Sequence, residues 1–245
     1  MGLSLINRNA VSLFGKRTST TIHDDEFGDI AVRRVHTKYV RLKVQPDGKI
    51  VATMPLYATL GSVRTLINSS RTSLRRSIAS APKRREYSDG EQIGKSHRLH
   101  ISTGATSGSV LRGQDVFVTI RSNNMPKVEQ AGVIREAVAK ALRREAKAYL
   151  PRRLKYLAER SGFRYEAVRF SHAKSRWGSC SSKGTISLNI ALMTLPNELI
   201  DYVLLHELTH TEQMNHSAEF WARLIAVCPD ARELKKQIAK HSPFL

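Results

Sequence analysis

Cysteine is scarce in this chain: its 245 residues contain two, Cys180 and Cys228. So few, so far apart, form neither a disulfide framework nor a zinc ribbon of closely spaced cysteines. A reduced, intracellular setting is the simpler expectation. Long apolar runs are also missing. No stretch of about 18 apolar residues occurs, so no membrane-spanning helix is expected, and the location read from the sequence is cytoplasmic. Neither a G-x-x-x-x-G-K-[ST] loop nor a G-x-G-x-x-G turn is present, so a bound nucleotide would lack the usual glycine-rich cradles. Signatures of a helix-turn-helix, an RRM or a zinc finger are absent as well. Acidic residues are missing from Met1 to His23, where Arg8, Lys16 and Arg17 sit among many Ser and Thr. That composition is faintly like a transit peptide, but the apolar stretches are too short for a secretory core and no A-x-A site follows. Residues 1–27 therefore read as a flexible leader or extension.

What is present suits a folded protein. Hydrophobic residues make up 41% of the chain, enough for a core. The length suits one large domain or two small, packed ones. The net charge is +19, and it is unevenly placed: residues 163–245 carry 10 Lys and Arg against 8 Asp and Glu, so 30 of the 40 basic residues precede them. A field of that sign attracts phosphates, nucleic acid or acidic surfaces; a solvated, solubilising surface would have the same composition.

Residues 28–56 read as β structure. Ile30, Val32 and Val35 lead into an alternating run from Tyr39 to Val44, then Pro46-Asp47-Gly48, then Lys49 to Pro55. Asp-Gly between two such runs signals a hairpin. Val63, Leu66, Ile67, Leu74 and Ile78 mark a helix over 61–80. A loop over 81–92 leads to strands at 98–102 and 115–121, joined by a Gly/Ser/Thr-rich stretch. From about Val128 an apolar stripe of Ile134, Val138, Ala141, Leu142, Ala146 and Leu150 defines a long helix. Pro151 is expected to kink or break it, with a second segment stopping at Ser161-Gly162. The polar side carries Arg135, Lys140, Arg143, Arg144, Lys147, Arg152, Arg153 and Lys155, either a solvated face or a phosphate-attracting rim. Strands follow at 167–170 and 185–189.

The chemistry concentrates near the C-terminal end. Pro196 suits the first turn of a helix, which runs through Leu199, Ile200, Val203 and Leu204 into His206-Glu207-Leu208-Thr209-His210. Residues four apart share a helix face, so both imidazoles can converge on one ion, while Glu207 lies about 100° around the helix. It is placed to reach a water on the metal rather than to ligate. A chance H-E-x-x-H in a chain this long is an event on the order of one in a hundred, and here it sits in a strongly apolar helix. His216 follows after a segment that can turn back, and Ser217 is a natural N-cap for the next helix, through Phe220, Trp221, Leu224 and Ile225 to Pro229. Three histidines with one open position match a catalytic zinc site rather than a closed structural one. Zinc would lower the pKa of water to about 7, with Glu207 as general base.

These residues, with the run Arg176-Trp177-Gly178-Ser179-Cys180-Ser181-Ser182-Lys183-Gly184 to Asn189, then Asp201-Tyr202-Val203, Met214-Asn215-His216-Ser217 and Phe220-Trp221, resemble the YgjP-like zinc metallopeptidase family, related to the SprT-like and WLM proteases. The likeness covers about 28–245. It implies an α+β, zincin-like fold: a metal domain at 127–245, with a sheet packed on the H-E-x-x-H helix, preceded by a β-rich subdomain at 28–126 and a long helix. It also implies one Zn2+ on His206, His210 and His216, with Glu207 catalytic and Arg176, Trp177 and Ser179 near the substrate. Arg176 is the candidate for a carboxylate or phosphate. Cys180 reads as a small buried thiol rather than a nucleophile. Peptidase activity is the first expectation. A UTP-type nucleoside triphosphate pyrophosphatase using the same zinc, and a DNA-associated protease of SprT-like type, remain open. The partners are a peptide or nucleotide substrate and, through the basic first two-thirds, nucleic acid.

Overall fold

The computed structural model describes residues 19–45, 47–80, 85–121 and 125–245. The chain divides into two compact units, one ending at Lys83 and the other beginning at Arg84.

In the first unit, β1 (Ser19–Asp24), β2 (Gly28–Arg34), β3 (Arg41–Val44) and β4 (Ile50–Met54) form one sheet in the order β1-β2-β4-β3. Strand alternation turns Ile22, Ile30, Val32, Ile50, Ala52 and Met54 to one face, where they bury against Val63, Ile67 and Leu74 of α1 (Leu60–Ala79). The helix begins where Thr59 accepts a hydrogen bond from the Ser62 amide. The β3–β4 hairpin closes as the Asp-Gly pair predicts: Gly48 takes φ +78° and its amide donates to the Gln45 carbonyl at 2.9 Å. Pro46 lies outside the described residues, as do residues 1–18 of the proposed leader. Residues 19–24 correct that reading. They form a strand in register with β2, Ser19 opposite Arg33 and Ile22 opposite Ile30, because Ile22 supplies a core side chain that the Thr- and His-containing run conceals.

The second unit has one hydrophobic core shared by two sheets and four helices. β5 (Gln92–Ile93), β6 (His97–Gly104), β7 (Gly108–Arg112) and β8 (Asp115–Arg121) are ordered β5-β6-β8-β7. The strand β7 falls in the stretch read as a connection; it pairs antiparallel with β8 from Gly108–Thr119 to Arg112–Asp115. These strands share their core with the long helix, Leu99, Val116 and Val118 burying with Val138, Ala141 and Leu142. The division of the chain therefore falls before this sheet, not at 126–127. The helix α2 runs unbroken over Lys127–Ser161, through Pro151, and ends where Gly162 adopts φ +73°. Proline removes one helical hydrogen bond, but the fully buried Leu150 and Leu154 on either side hold the helix to the core.

The Gly94–His97 turn is fastened to α2 by the buried Glu145. Its carboxylate accepts from the amides of Lys95 (3.0 Å) and Ser96 (2.6 Å) and from the Ser96 hydroxyl (2.6 Å), and it bonds His97 Nδ1 (3.0 Å). Gly94 has φ +61°, and a Cβ there would overlap that carboxylate. Lys95 Nζ then donates to the Leu195 carbonyl at 2.6 Å, one residue before the proline that opens the site helix.

The second sheet is ordered β10-β11-β9, from β9 (Ala167–Ser171), β10 (Gly178–Cys180) and β11 (Thr185–Asn189). A 3-10 turn at Ile190–Thr194 leads to α3 (Asn197–Thr209), followed by α4 (Ala218–Val227) and α5 (Ala231–Ile238). The fold is thus mixed α+β. Among the described residues, no helix is long and apolar enough to cross a membrane.

Candidate metal centre

The helix α3 is apolar on nearly every side: Leu199, Ile200, Tyr202, Val203, Leu204, Leu205 and Leu208 are all buried. Such a helix belongs in a core, so the polar residues of its last turns are costly there unless they serve a purpose. Pro196 is the N-cap, one residue before the first turn in which the sequence placed it. Asp201 holds α3 to α2 through a bidentate pair with Arg153, at 2.7 Å to Nε and 2.5 Å to Nη2. Arg153, one of the basic residues read on α2, is therefore occupied as a clamp.

After His210 the chain turns. The Gln213 amide donates to the Thr209 carbonyl at 2.9 Å, and Ser217 caps α4 by accepting from the Phe220 amide. Arg223 of α4 braces this turn, pairing with Glu212 at 2.8 Å, donating to the Ser161 carbonyl and stacking 4.2 Å over the Phe163 ring. The turn brings His216 back to the helix. Donor atoms of His206, His210 and His216 all lie within 4.8 Å of one another, and the ring centroids are 4.6–5.0 Å apart. Phe220, fully buried, contacts all three rings at 4.6–5.0 Å and forms the floor.

The nitrogen chemistry fits a cation. His206 Nε2 and His216 Nε2 face each other at 3.1 Å. That separation suits an N–H···N hydrogen bond in the absence of an ion, and it equally suits two nitrogens that share one ion. His210 Nδ1 lies 3.0 Å from the Gln213 carbonyl. A carbonyl only accepts, so the proton is on Nδ1 and Nε2 is left with a lone pair, the tautomer that a ligating histidine needs. Burial, reinforced by His210 and His216, pushes the His206 pKa down to about 3, and burial also lowers that of His216. Both shifts favour the neutral ring, the form a ligand needs.

Glu207 is buried beside them, with Oε2 lacking any hydrogen-bond partner among the described residues. Burial raises its pKa to about 7, against the opposing charge of Arg176. Its niche is formed by β10. A Cβ built on Gly178 would stand 2.6, 2.7 and 2.8 Å from Glu207 Oε1, Cγ and Cδ. The glycine is thus the space that the carboxylate occupies. Asn189, also fully buried, holds the loop before β10: its amide donates to the carbonyls of Ala173 (2.7 Å) and Arg176 (2.8 Å), and its oxygen accepts from the Ala191 amide (3.0 Å).

Neither Gly178 nor Asn189 stands out as functional in the sequence, which places no strand at 178–180; with β10 in place, a glycine inside a strand marks close approach of a neighbour. Of the residues proposed near the substrate, Arg176 is exposed and its charge reaches Glu207. Trp177 is half-buried against the core, and Ser179 sits opposite Ser187, on the other strand face from Gly178 and Cys180. Cys180 is half-buried, and burial raises its pKa. His97 is taken up by Glu145 and His23 by Asp29, and neither His172 nor His241 joins the metal-type cluster.

Three imidazoles, two from the end of α3 and one from the turn after it, thus converge beside a buried carboxylate in a group that could hold a metal ion. The sequence of residues 38–241 matches the model of the YgjP-like family, metallopeptidase domain, and the chain belongs to that family. The family implies a divalent metal, typically zinc. Two solved structures are similar. One is the metallopeptidase zymogen of Pyrococcus abyssi abylysin, at 31% identity, with 37% of this chain and 91% of that chain covered and a TM-score of 0.34. The other is the metallopeptidase zymogen of Methanocaldococcus jannaschii jannalysin, at 21% identity, with 37% and 93% covered and a TM-score of 0.33. A comparison with curated proteins finds no match.

Proposed function

We propose that this chain is a zinc-dependent peptidase of zincin type, in which His206, His210 and His216 hold one Zn2+ and Glu207 is the general base. The supporting observation is the convergence of three histidine donors within 4.8 Å beside a buried carboxylate that has an unpartnered oxygen. Zinc in that place supplies Lewis acidity, polarising the scissile carbonyl and acidifying water. The residues do the rest. Gln213 keeps the proton of His210 on Nδ1. Phe220 closes the apolar side of the centre. Glu207 accepts a proton from the attacking water and returns it to the leaving amine, and the niche at Gly178 fixes where that carboxylate stands.

A second reading has an observation in its favour. Two cations act on the site: Arg176 on Glu207, and Lys235 of α5 on His206 and His216. Such a field suits a polyphosphate, and thus a nucleoside triphosphate pyrophosphatase on the same metal. One assay separates the readings. Protein stripped with chelator is returned to zinc and incubated with unfolded casein and with each nucleoside triphosphate. We expect peptide fragments that depend on zinc, with no pyrophosphate released. Zinc-dependent pyrophosphate without fragments supports the second reading, and neither product overturns both.

A further inference from the structure

Among the described residues, the helix of the first unit covers one face of its sheet, and the other face is sorted by charge. On that face Arg33 of β2 stands opposite Thr53 of β4, which stands opposite Arg41 of β3; Lys43 lies two residues along, opposite Val51. Arg33, Arg41 and Lys43 are exposed. β2 and β4 run parallel and β3 antiparallel to them, so β2 and β4 end, and β3 begins, at one end of the sheet. The segment Val35–Val40 and the residues after Met54 emerge at this same end. They present Lys38 and two tyrosines, Tyr39 at 68% and Tyr57 at 80% exposure. The tyrosines are not on loose chain. Arg34 donates to the carbonyls of Leu56 (2.9 Å) and Ala58 (2.8 Å), and the Tyr57 hydroxyl donates to the Lys38 carbonyl at 3.3 Å.

The acids are at the other end. Between residues 19 and 80 there are five: Asp24, Asp25, Glu26 and Asp29 in or beside the β1–β2 turn, and Asp47 in the β3–β4 turn. Asp47 accepts from the Lys49 amide at 3.3 Å, and three of the others are held by side chains. Arg71 and Arg75 of α1 pair with Asp24 and Glu26, and His23 pairs with Asp29. Among the described residues, Arg33 and Arg41 thus stand at the end of the sheet away from these acids, with Lys43 between them and the β3–β4 turn.

We propose that this end of the sheet binds single-stranded nucleic acid, with Arg33, Lys38, Arg41 and Lys43 along the phosphates and Tyr39 and Tyr57 stacking on bases. Charge complementarity selects a polyanion. Exposed aromatic rings beside the cations, that of Tyr57 held by its hydroxyl, select unpaired bases over a duplex, whose bases are already stacked. The surface belongs to the first unit and the metal centre to the second, and the proposal does not depend on the reading given to that centre.

The test is fluorescence anisotropy of a labelled dT20 strand with the full chain carrying Glu207→Gln, over 50–200 mM salt. Four phosphate contacts predict a slope of log affinity on log salt of about −3. Arg33→Glu with Arg41→Glu is expected to weaken binding at least tenfold. Tyr57→Ala is expected to weaken it about fivefold with the slope unchanged, and Arg143→Glu on α2 is expected to change nothing. Circular dichroism melts establish that each variant is folded. The proposal is overturned if the Arg33/Arg41 and Tyr57 changes leave affinity intact, or if duplex DNA or vesicles of anionic lipid bind as tightly as the strand.

Discussion

Glu207→Gln leaves zinc bound at one ion per chain and lowers kcat by roughly 10³-fold, within the range that a general base contributes. Glutamine keeps the shape of the side chain, so it fits the niche against Gly178, and it removes only the proton acceptor. Histidine donors are untouched, so metal affinity stays within a few-fold. KM changes little, because the interaction lost belongs to the transition state. The metal-free variant melts no lower than the wild type: Glu207 is buried with one oxygen unpartnered, an environment that penalises a carboxylate more than an amide. A variant retaining more than a tenth of the wild-type kcat would remove Glu207 from the role of base.

Gly178→Ala should lower kcat by at least about 10²-fold while zinc affinity stays the same, since a misplaced catalytic group of about 1 Å costs on that order. The added methyl would lie 2.6–2.8 Å from three atoms of Glu207, and the end of a glutamate yields more readily than a paired strand. The carboxylate therefore moves and the histidines do not. A thermodynamic cycle in the metal-free protein isolates this contact. With Glu207 present, Gly178→Ala destabilises. In a Glu207→Ala background the space is open and φ at 178 is not positive, so the same change is neutral or stabilising, alanine losing less chain entropy than glycine. A destabilisation equal in both backgrounds would mean that the glycine serves the strand alone, and would leave the role of Glu207 unaffected.

These two residues show what a linear reading recovers. His206, Glu207 and His210 are legible because helical periodicity is local: positions i, i+1 and i+4 of an apolar helix have known directions. His216 needed only a turn and a serine cap, both written in the adjacent residues. Gly178 is different. Its function is a distance to a side chain from another element, and only the register of β10 on β11 and its packing on α3 create that distance. Asn189 is equally mute, since the two carbonyls its side-chain amide binds lie 13 and 16 residues earlier in the chain.

The errors in the fold have the same origin. The strand β1 was hidden because Ser19–Asp24 contains one large apolar residue, and β7 because Gly and Ser surround Val110-Leu111; each is specified by its partner strand. Pro151 reads as a break because propensity is local, whereas the packing of Leu150 and Leu154 is not. The chain divides before β5 because the β5–β8 sheet shares its core with α2, a fact of pairing rather than composition.

X-ray absorption at the zinc edge, on protein purified with its metal, tests the account most directly. It predicts one zinc per chain with three imidazole nitrogens at about 2.0–2.1 Å, and one imidazole fewer in His216→Ala. A zinc bound through sulfur, or a coordination shell that His216→Ala leaves unchanged, would contradict it.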